Sequence, residues 1–261
     1  MRSLDTAATG MLAQQLNVEN ISNNIANVNT SGFKRSRVQF NDLLYQDLRR
    51  VGTQSAQEGN IVPSGVQIGL GVKPGAVYRI HEQGSLEITD NPLDLAIDGE
   101  GFFQIELPNG DEAFTRTGSF QLSQDGDLVT NDGFLVEPGI NIPDDAIGVT
   151  VNSDGEVLVD LDGQIQAQNV GQLELARFPN SAGLEAVGDN LFEETEASGA
   201  PILDNPNADG FGSIQQGAIE GSNVEIVTEI TNMIDAQRAY EMNSRVIQAS
   251  DEMMQAVGQL R

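Results

Sequence analysis

The chain contains no cysteine and no tryptophan. Disulfides, thiolate nucleophiles and zinc sites built on cysteine are thereby excluded. A single histidine, His81, is present. No histidine pair can hold a metal, and a surface or packing role is the default for that residue. No apolar run approaches the ~20 residues needed to cross a bilayer, so membrane insertion is not expected. The first residues, MRSLDTAATG, have no apolar h-region, and no cleavable secretory signal is expected. Cations are scarce too. Between residues 51 and 225 only Lys73, Arg79, Arg116 and Arg177 are basic, against thirty Asp and Glu. The two ends are each near neutral, so the whole net charge of −26 lies in the middle. Phosphate contacts need clustered Lys and Arg, and the one local cluster is Lys34, Arg35 and Arg37, which disfavours nucleic acid as a partner. The acidity suits a basic partner, solubility or a salty habitat.

What is present is a helical stripe at each end. Ile226, Met233, Tyr240, Ile247 and Met254 recur every seven residues, with Ile230 beside them. Near the start, Leu4, Met11, Val18 and Ile25 do the same. Apolar residues at this spacing form one face of a helix, and that face must be buried against something. The spacing predicts helices over 3–28, capped by Ser3 or Asp5, and over 223–260, capped by Ser222 or Asn223. The two helices are expected to become ordered when neighbouring chains cover their stripes, because an isolated helix is marginal in water. Pairing within one chain as a hairpin is the less favoured alternative. A turn or short helix is expected from Phe40 to Leu48.

The middle has another character. Residues 49–75 are rich in Gln, Ser, Gly and Pro and read as a long extended stretch whose composition cannot build a core. From 76 to about 222, apolar residues alternate at Leu93, Leu95 and Ile97, at Phe103, Ile105 and Leu107, and at Val157, Val159 and Leu161. That is the period of half-buried strands. Asn109-Gly110, Asp125-Gly126, Asp132-Gly133, Asp154-Gly155 and Asp162-Gly163 supply hairpin turns. The fold class is α+β: two long terminal helices forming a coiled-coil-like assembly domain, and a central antiparallel β domain. Four segments follow: 1–48, 49–75, 76–222 and 223–261.

Chemical motifs are weak. Ser31-Gly32-Phe33-Lys34 matches S-x-x-K, but its partner motifs are missing; it reads as a helix-ending turn with a basic rim. Asp160-Leu161-Asp162-Gly163 lacks the rest of a calcium loop and reads as a hairpin. Gly69-Leu70-Gly71 lacks the Lys-Ser/Thr of a phosphate loop. Asp94 and Asp98 could mimic a glycosidase pair, but chance pairs are expected among thirty acids. No catalytic, cofactor-binding or metal residue is assigned, and no enzyme activity is expected.

Two segments are more specific. Ala26-Asn27-Val28-Asn29-Thr30-Ser31-Gly32-Phe33-Lys34-Arg35 resembles the N-terminal signature of the bacterial flagellar rod and hook proteins. The run from Met233 through Gln237, Arg238 and Tyr240 to Asn243 is similar to their C-terminal signature. Gly99-Glu100-Gly101-Phe102-Phe103 and Thr115–Phe120 resemble their shared β body. The resemblance implies a structural axial subunit polymerising into the distal rod, which transmits torque and encloses an export channel. Its implied partners are copies of itself, other rod proteins, the hook protein and the surrounding rings. Its place would be the basal body, across the periplasm towards the outer membrane, reached by the flagellar export apparatus. A proximal rod or other hook and rod paralogue is the nearest alternative, and a secreted β-rich carbohydrate-active or adhesive protein a more distant one. The polar positions Gln14, Gln15, Asn17, Asn24, Gln237, Asn243 and Gln248 would suit a polar lumen.

Overall fold

The computed structural model describes residues 2–49, 65–143, 145–162 and 166–259. Most of the 49–75 stretch therefore lies outside the described residues. The chain divides into two compact units. One comprises Met1–Ile25, Ser36–Tyr78 and Ile226–Arg261; the other comprises Ala26–Arg35 and Arg79–Glu225.

The first unit is built on helix α1, Arg2–Ala26, and helix α2, Ile226–Gln259. At 1.5 Å per residue these are roughly 38 and 51 Å long. They pair antiparallel. Ser3 Oγ lies 3.2 Å from Ser250 Oγ, and Asn24 Nδ2 donates to Glu229 Oε2 at 3.5 Å. Between them, a Cβ placed on Gly10 would come within 2.8 Å of Asn243 Nδ2. Seven residues up α1 thus match seven down α2, the register of a heptad seam. Apart from Ile21, the seam is made of small and polar residues. Ala7, Ile21 and Asn24 are buried on α1, as are Glu229, Ala236 and Ser250 on α2. Small side chains let the two backbones approach closely, but they bury little apolar area.

Strands β1 (Ser36–Asp42), β2 (Tyr45–Arg49), β3 (Val66–Gly69) and β4 (Val72–Arg79) complete this unit as two pairs, β1 with β4 and β2 with β3. Residues 40–48 are therefore strand rather than turn or helix. The cause is local. The Asn24 side chain acts as a strand edge: its Nδ2 donates to Ser36 O and its Oδ1 accepts from Ser36 N, both at 2.9 Å. Asn20 adds a bond from Nδ2 to Ser36 O at 2.8 Å. The apolar residues that suggested a helical face, Leu44 and Leu48, stay exposed.

The second unit is antiparallel β. Its nine-stranded sheet centres on Phe102–Glu106, which pairs with Glu112–Thr115 along one edge and with Leu135–Val136 and Leu175–Arg177 along the other. Phe102, Phe103, Gln104 and Ile105 are all buried, so this strand is covered on both faces. The main core gathers Leu95, Ile97, Phe103, Phe120, Val157, Val159 and Leu175. A three-stranded sheet, Ala146–Val151, Glu156–Leu161 and Gln168–Gln172, contributes to it. Shorter pairs join Leu95–Asp98 to Ser213–Gln216 and Leu86–Ile88 to Ala218–Glu220.

Four hairpins share one turn. Gly110, Gly126, Gly133 and Gly155 each have φ between 83° and 86°. Each donates its N–H to the carbonyl three residues back: Leu107, Ser123, Thr130 and Asn152. Those four residues in turn donate to the residue just after the glycine. This is the three-residue hairpin loop closed by a glycine bulge, where only the glycine is left-handed. The preceding Asn or Asp keeps ordinary φ, so the two-residue hairpin turn, which needs positive φ at both positions, is not what these pairs form. Gly163 lies outside the described residues.

Candidate functional site

Two regions hold the residues singled out in the sequence. The first is the outward side of the helix pair. Leu4, Met11, Val18 and Ile25 of α1 are half-buried, as are Met233 and Ile247 of α2. Ile226, Ile230 and Tyr240 keep 46%, 46% and 44% of their surface exposed, and Met254 is exposed as well. Val227, Ile234, Met242, Val246 and Met253 join them in solvent. The intramolecular seam therefore uses Glu229, Ala236, Asn243 and Ser250, while most large apolar side chains of α2, Met233 and Ile247 excepted, remain exposed. Sequence periodicity found the large apolar positions of α2 but not the small and polar series that faces α1. Asn24 and Asn243 sit in that seam, so they do not belong to a polar lumen face. Gln237 and Arg238 are exposed.

The second region is the signature segment in the β unit. Thr30 N and Phe33 N donate to Asn27 O and Thr30 O, winding two successive turns after α1. Thr30 Oγ1 bonds Asn27 Oδ1 at 3.2 Å, while Asn29 is exposed. Gly32 has φ +68°, and a Cβ there would come within 2.8 Å of Thr117 N, so only glycine fits. Its N–H donates to Glu220 O at 2.7 Å. Phe33 is buried, with the Arg79 guanidinium 5.7 Å from its ring centroid.

Lys34 is not part of a basic rim; it is buried to 1% exposure. Its Nζ donates to Glu220 Oε1 at 2.6 Å and to Glu82 O at 2.7 Å. Arg116 Nε reaches the other oxygen, Glu220 Oε2, at 2.8 Å, and its Nη1 donates to Gly99 O and Gly101 O. Gly84 N–H also donates to Glu220 Oε1. Burial raises the Glu220 carboxyl pKa, but Arg116 and Lys34 more than reverse this and hold it below the usual carboxylate range. Burial, with Arg116 adding to it, lowers the Lys34 pKa despite Glu220. Asn223 belongs to the same stitching rather than to a helix cap. Its Oδ1 accepts from Arg35 N at 2.7 Å and its Nδ2 donates to Ile80 O at 2.8 Å. Asn223 was expected as a helix cap and Arg116 lay in a signature segment, but the buried bonds of Arg116, Glu220 and Asn223 escaped sequence reasoning because their partners lie 104, 186 and 188 residues away. The one available signal was scarcity: in so acidic a chain each buried cation has a specific partner.

His81 packs edge-on between Phe102 and Phe192, with ring centroids 5.5 and 5.3 Å away. Burial, reinforced by Lys34, Arg79 and Arg116, lowers its pKa to about 4. Among the described residues no cluster of three His, Asp or Glu could hold a metal, and no helix is long and apolar enough to cross a membrane.

A paired set of terminal helices, a β body and the two signature segments set the class, that of flagellar axial proteins. Three family profiles agree. Residues 4–34 match "Flagella basal body rod protein", residues 96–159 match "Flagellar hook protein FlgE/F/G D1 domain", and residues 215–260 match "Flagellar basal body rod FlgEFG protein C-terminal". The chain is 59% identical to the flagellar basal-body rod protein FlgG of Caulobacter vibrioides over 100% of both chains. It is 47% identical to that of Borreliella burgdorferi, over 100% of this chain and 99% of the relative. With Bacillus subtilis FlgG the identity is 41% over 100% and 99%. The chain belongs to the FlgG family of flagellar basal-body rod proteins.

Proposed function

We propose that this chain is a structural, non-enzymatic subunit that polymerises with copies of itself into the distal rod of the flagellar basal body. The observation that carries the reading is the uncovered apolar face of α2. Ile226, Ile230, Tyr240 and their neighbours lie in solvent on a helix whose other side is already paired, and a contiguous apolar surface of this kind marks an interaction site. A head-to-tail interface that does not close on itself gives a helical polymer. A stiff tube built this way transmits torque, and its lumen passes exported chains. The α1 residues Leu4, Met11, Val18 and Ile25 contribute the second half of the assembly surface. The signature residues from Asn27 to Lys34 fix the turn that follows α1. Gln237, Arg238 and Tyr240 serve contacts with neighbouring subunits. The rod would meet other rod proteins, the hook protein and the rings that surround it, towards the outer membrane and without inserting in it.

The test is genetic and visual. A strain lacking this chain should regain motility and full-length rods, seen by electron microscopy of isolated basal bodies, with the natural sequence. With Ile230→Asp or Tyr240→Asp it should regain neither. Full-length rods with both variants would refute the reading.

A further inference from the structure

The β unit has five cations, Lys34, Arg35, Arg79, Arg116 and Arg177, in a strongly acidic chain. Three of them, Lys34, Arg116 and Arg177, line one cavity of about 210 Å³. A fourth, Arg79, stands behind it, its guanidinium 5.4 Å from the Phe192 ring that packs on His81. Concentrating nearly all the positive charge of an acidic body at one hollow creates a focused attraction for anions. The charge there is not cancelled. Lys34 and Arg116 share the single carboxylate of Glu220, which leaves one positive charge in excess. Arg177 donates to Gly210 O at 3.3 Å and lies over the Phe211 ring, and the one carboxylate paired with it is the exposed Glu100, at 4.0 Å on the rim. The fourth polar group of the wall, half-buried His81, makes no hydrogen bond at Nδ1 among the described residues, and the backbone of Ser181, also in the lining, favours its protonated form. An acceptor entering the cavity could pair with the imidazole there. Phe102, in edge contact with His81, and Phe178 supply an apolar part of the lining.

We propose that this cavity is a carboxylate-binding site. The head group is taken by Arg116, Arg177 and His81, and a short hydrocarbon chain lies along Phe102 and Phe178. A planar guanidinium matches a carboxylate, and the aromatic wall selects a carboxylate carried on methylenes over sulfate or chloride. The carboxylate comes either from a free small acid or from an acidic side chain of a second copy, and the two sources share the same chemistry.

Because His81 is the only histidine, its imidazole gives one set of proton signals in NMR. The chain should be titrated with sodium butyrate, acetate and chloride at constant ionic strength. Butyrate should shift the His81 signals saturably and raise its titration midpoint above about 4. Butyrate should bind tighter than acetate by roughly fourfold for each added methylene. Chloride should do neither. Arg177→Ala, at a partly exposed side chain, should weaken butyrate binding at least tenfold. Glu100→Gln should strengthen it by removing the competing rim carboxylate. Equal responses to chloride and butyrate, or unchanged binding in Arg177→Ala, would overturn the assignment. If butyrate binds, its effect on self-association assigns the source. Loss of self-association identifies a second copy's side chain, and undisturbed self-association identifies a free acid.

Discussion

Replacing Ile230 by aspartate separates folding from assembly. Ile230 keeps 46% of its surface exposed in the single chain. Full burial of such a side chain is worth ~1.5–3 kcal/mol, so docking on a neighbour gains about 1 kcal/mol from the half still exposed. The variant loses that gain. It also places an unpaired carboxylate in an apolar contact, which costs several kcal/mol after relaxation. Together the loss is about 4 kcal/mol per contact, roughly a thousandfold in an association constant. In the free subunit the same substitution gives up the packing of the half that is already covered, about 1 kcal/mol, and changes helix preference by less than ~0.7 kcal/mol. The melting temperature should therefore fall by only about 7 °C or less. Sedimentation velocity across a concentration series reads the first quantity, and circular dichroism on heating reads the second. A variant that associates like the natural chain would refute the reasoning. So would one that melts far earlier, because that would place Ile230 in the fold rather than at an interface.

Acid should weaken the fold through His81. Its folded pKa of about 4 lies below its usual 6.5, so the unfolded chain takes up a proton first and stability falls as pH drops from about 7 towards 4, by at most ~3 kcal/mol. Urea unfolding at stepped pH should show this slope, and His81→Phe should flatten it. From about pH 4.5 downward the depressed Glu220 carboxyl adds a further loss as it protonates. Glu220→Gln should be severe, because it leaves Lys34 and Arg116 buried without a counter-charge. A cost of about 3–5 kcal/mol, or roughly 10 °C in melting temperature, should appear in thermal circular dichroism. Moderate salt should strengthen self-association, since the acidic middle repels over about 10 Å at 0.1 M salt; light scattering that falls steadily with added salt would contradict this.

The helices were legible because a heptad survives any detail of packing, and α1 and α2 begin and end within a few residues of their expected limits. The orientation of α2 was not legible. Its Glu229, Ala236, Asn243 and Ser250 repeat as regularly as its large apolar residues, and hydrophobicity alone favours the wrong set for the seam. The β body was readable where strands have one wet face, as at Val157 and Val159. Phe103, Ile105 and Leu107 marked the strand Phe102–Glu106 as well, but read it as half-buried, whereas it is covered on both faces. The strands of 36–49 were missed because Leu44, Tyr45 and Leu48 remain exposed and a side-chain amide, Asn24, organises their start. The Gly32–Lys34 segment stood out in the sequence. Its buried partnership with Glu220 and Arg116 did not, because ion pairs across such chain separations leave no local pattern.

The central claim is that neighbouring subunits cover the outer face of α2. The absence of cysteine makes a single introduced thiol a clean probe of that face. Ile234, 43% exposed in the single chain, should be changed by Ile234→Cys and its reaction with a water-soluble maleimide timed in free subunits, in purified rods and in rods dissociated by denaturant. The account predicts fast labelling of free and dissociated subunits and strong protection in intact rods. Equal labelling of free subunits and intact rods would contradict it.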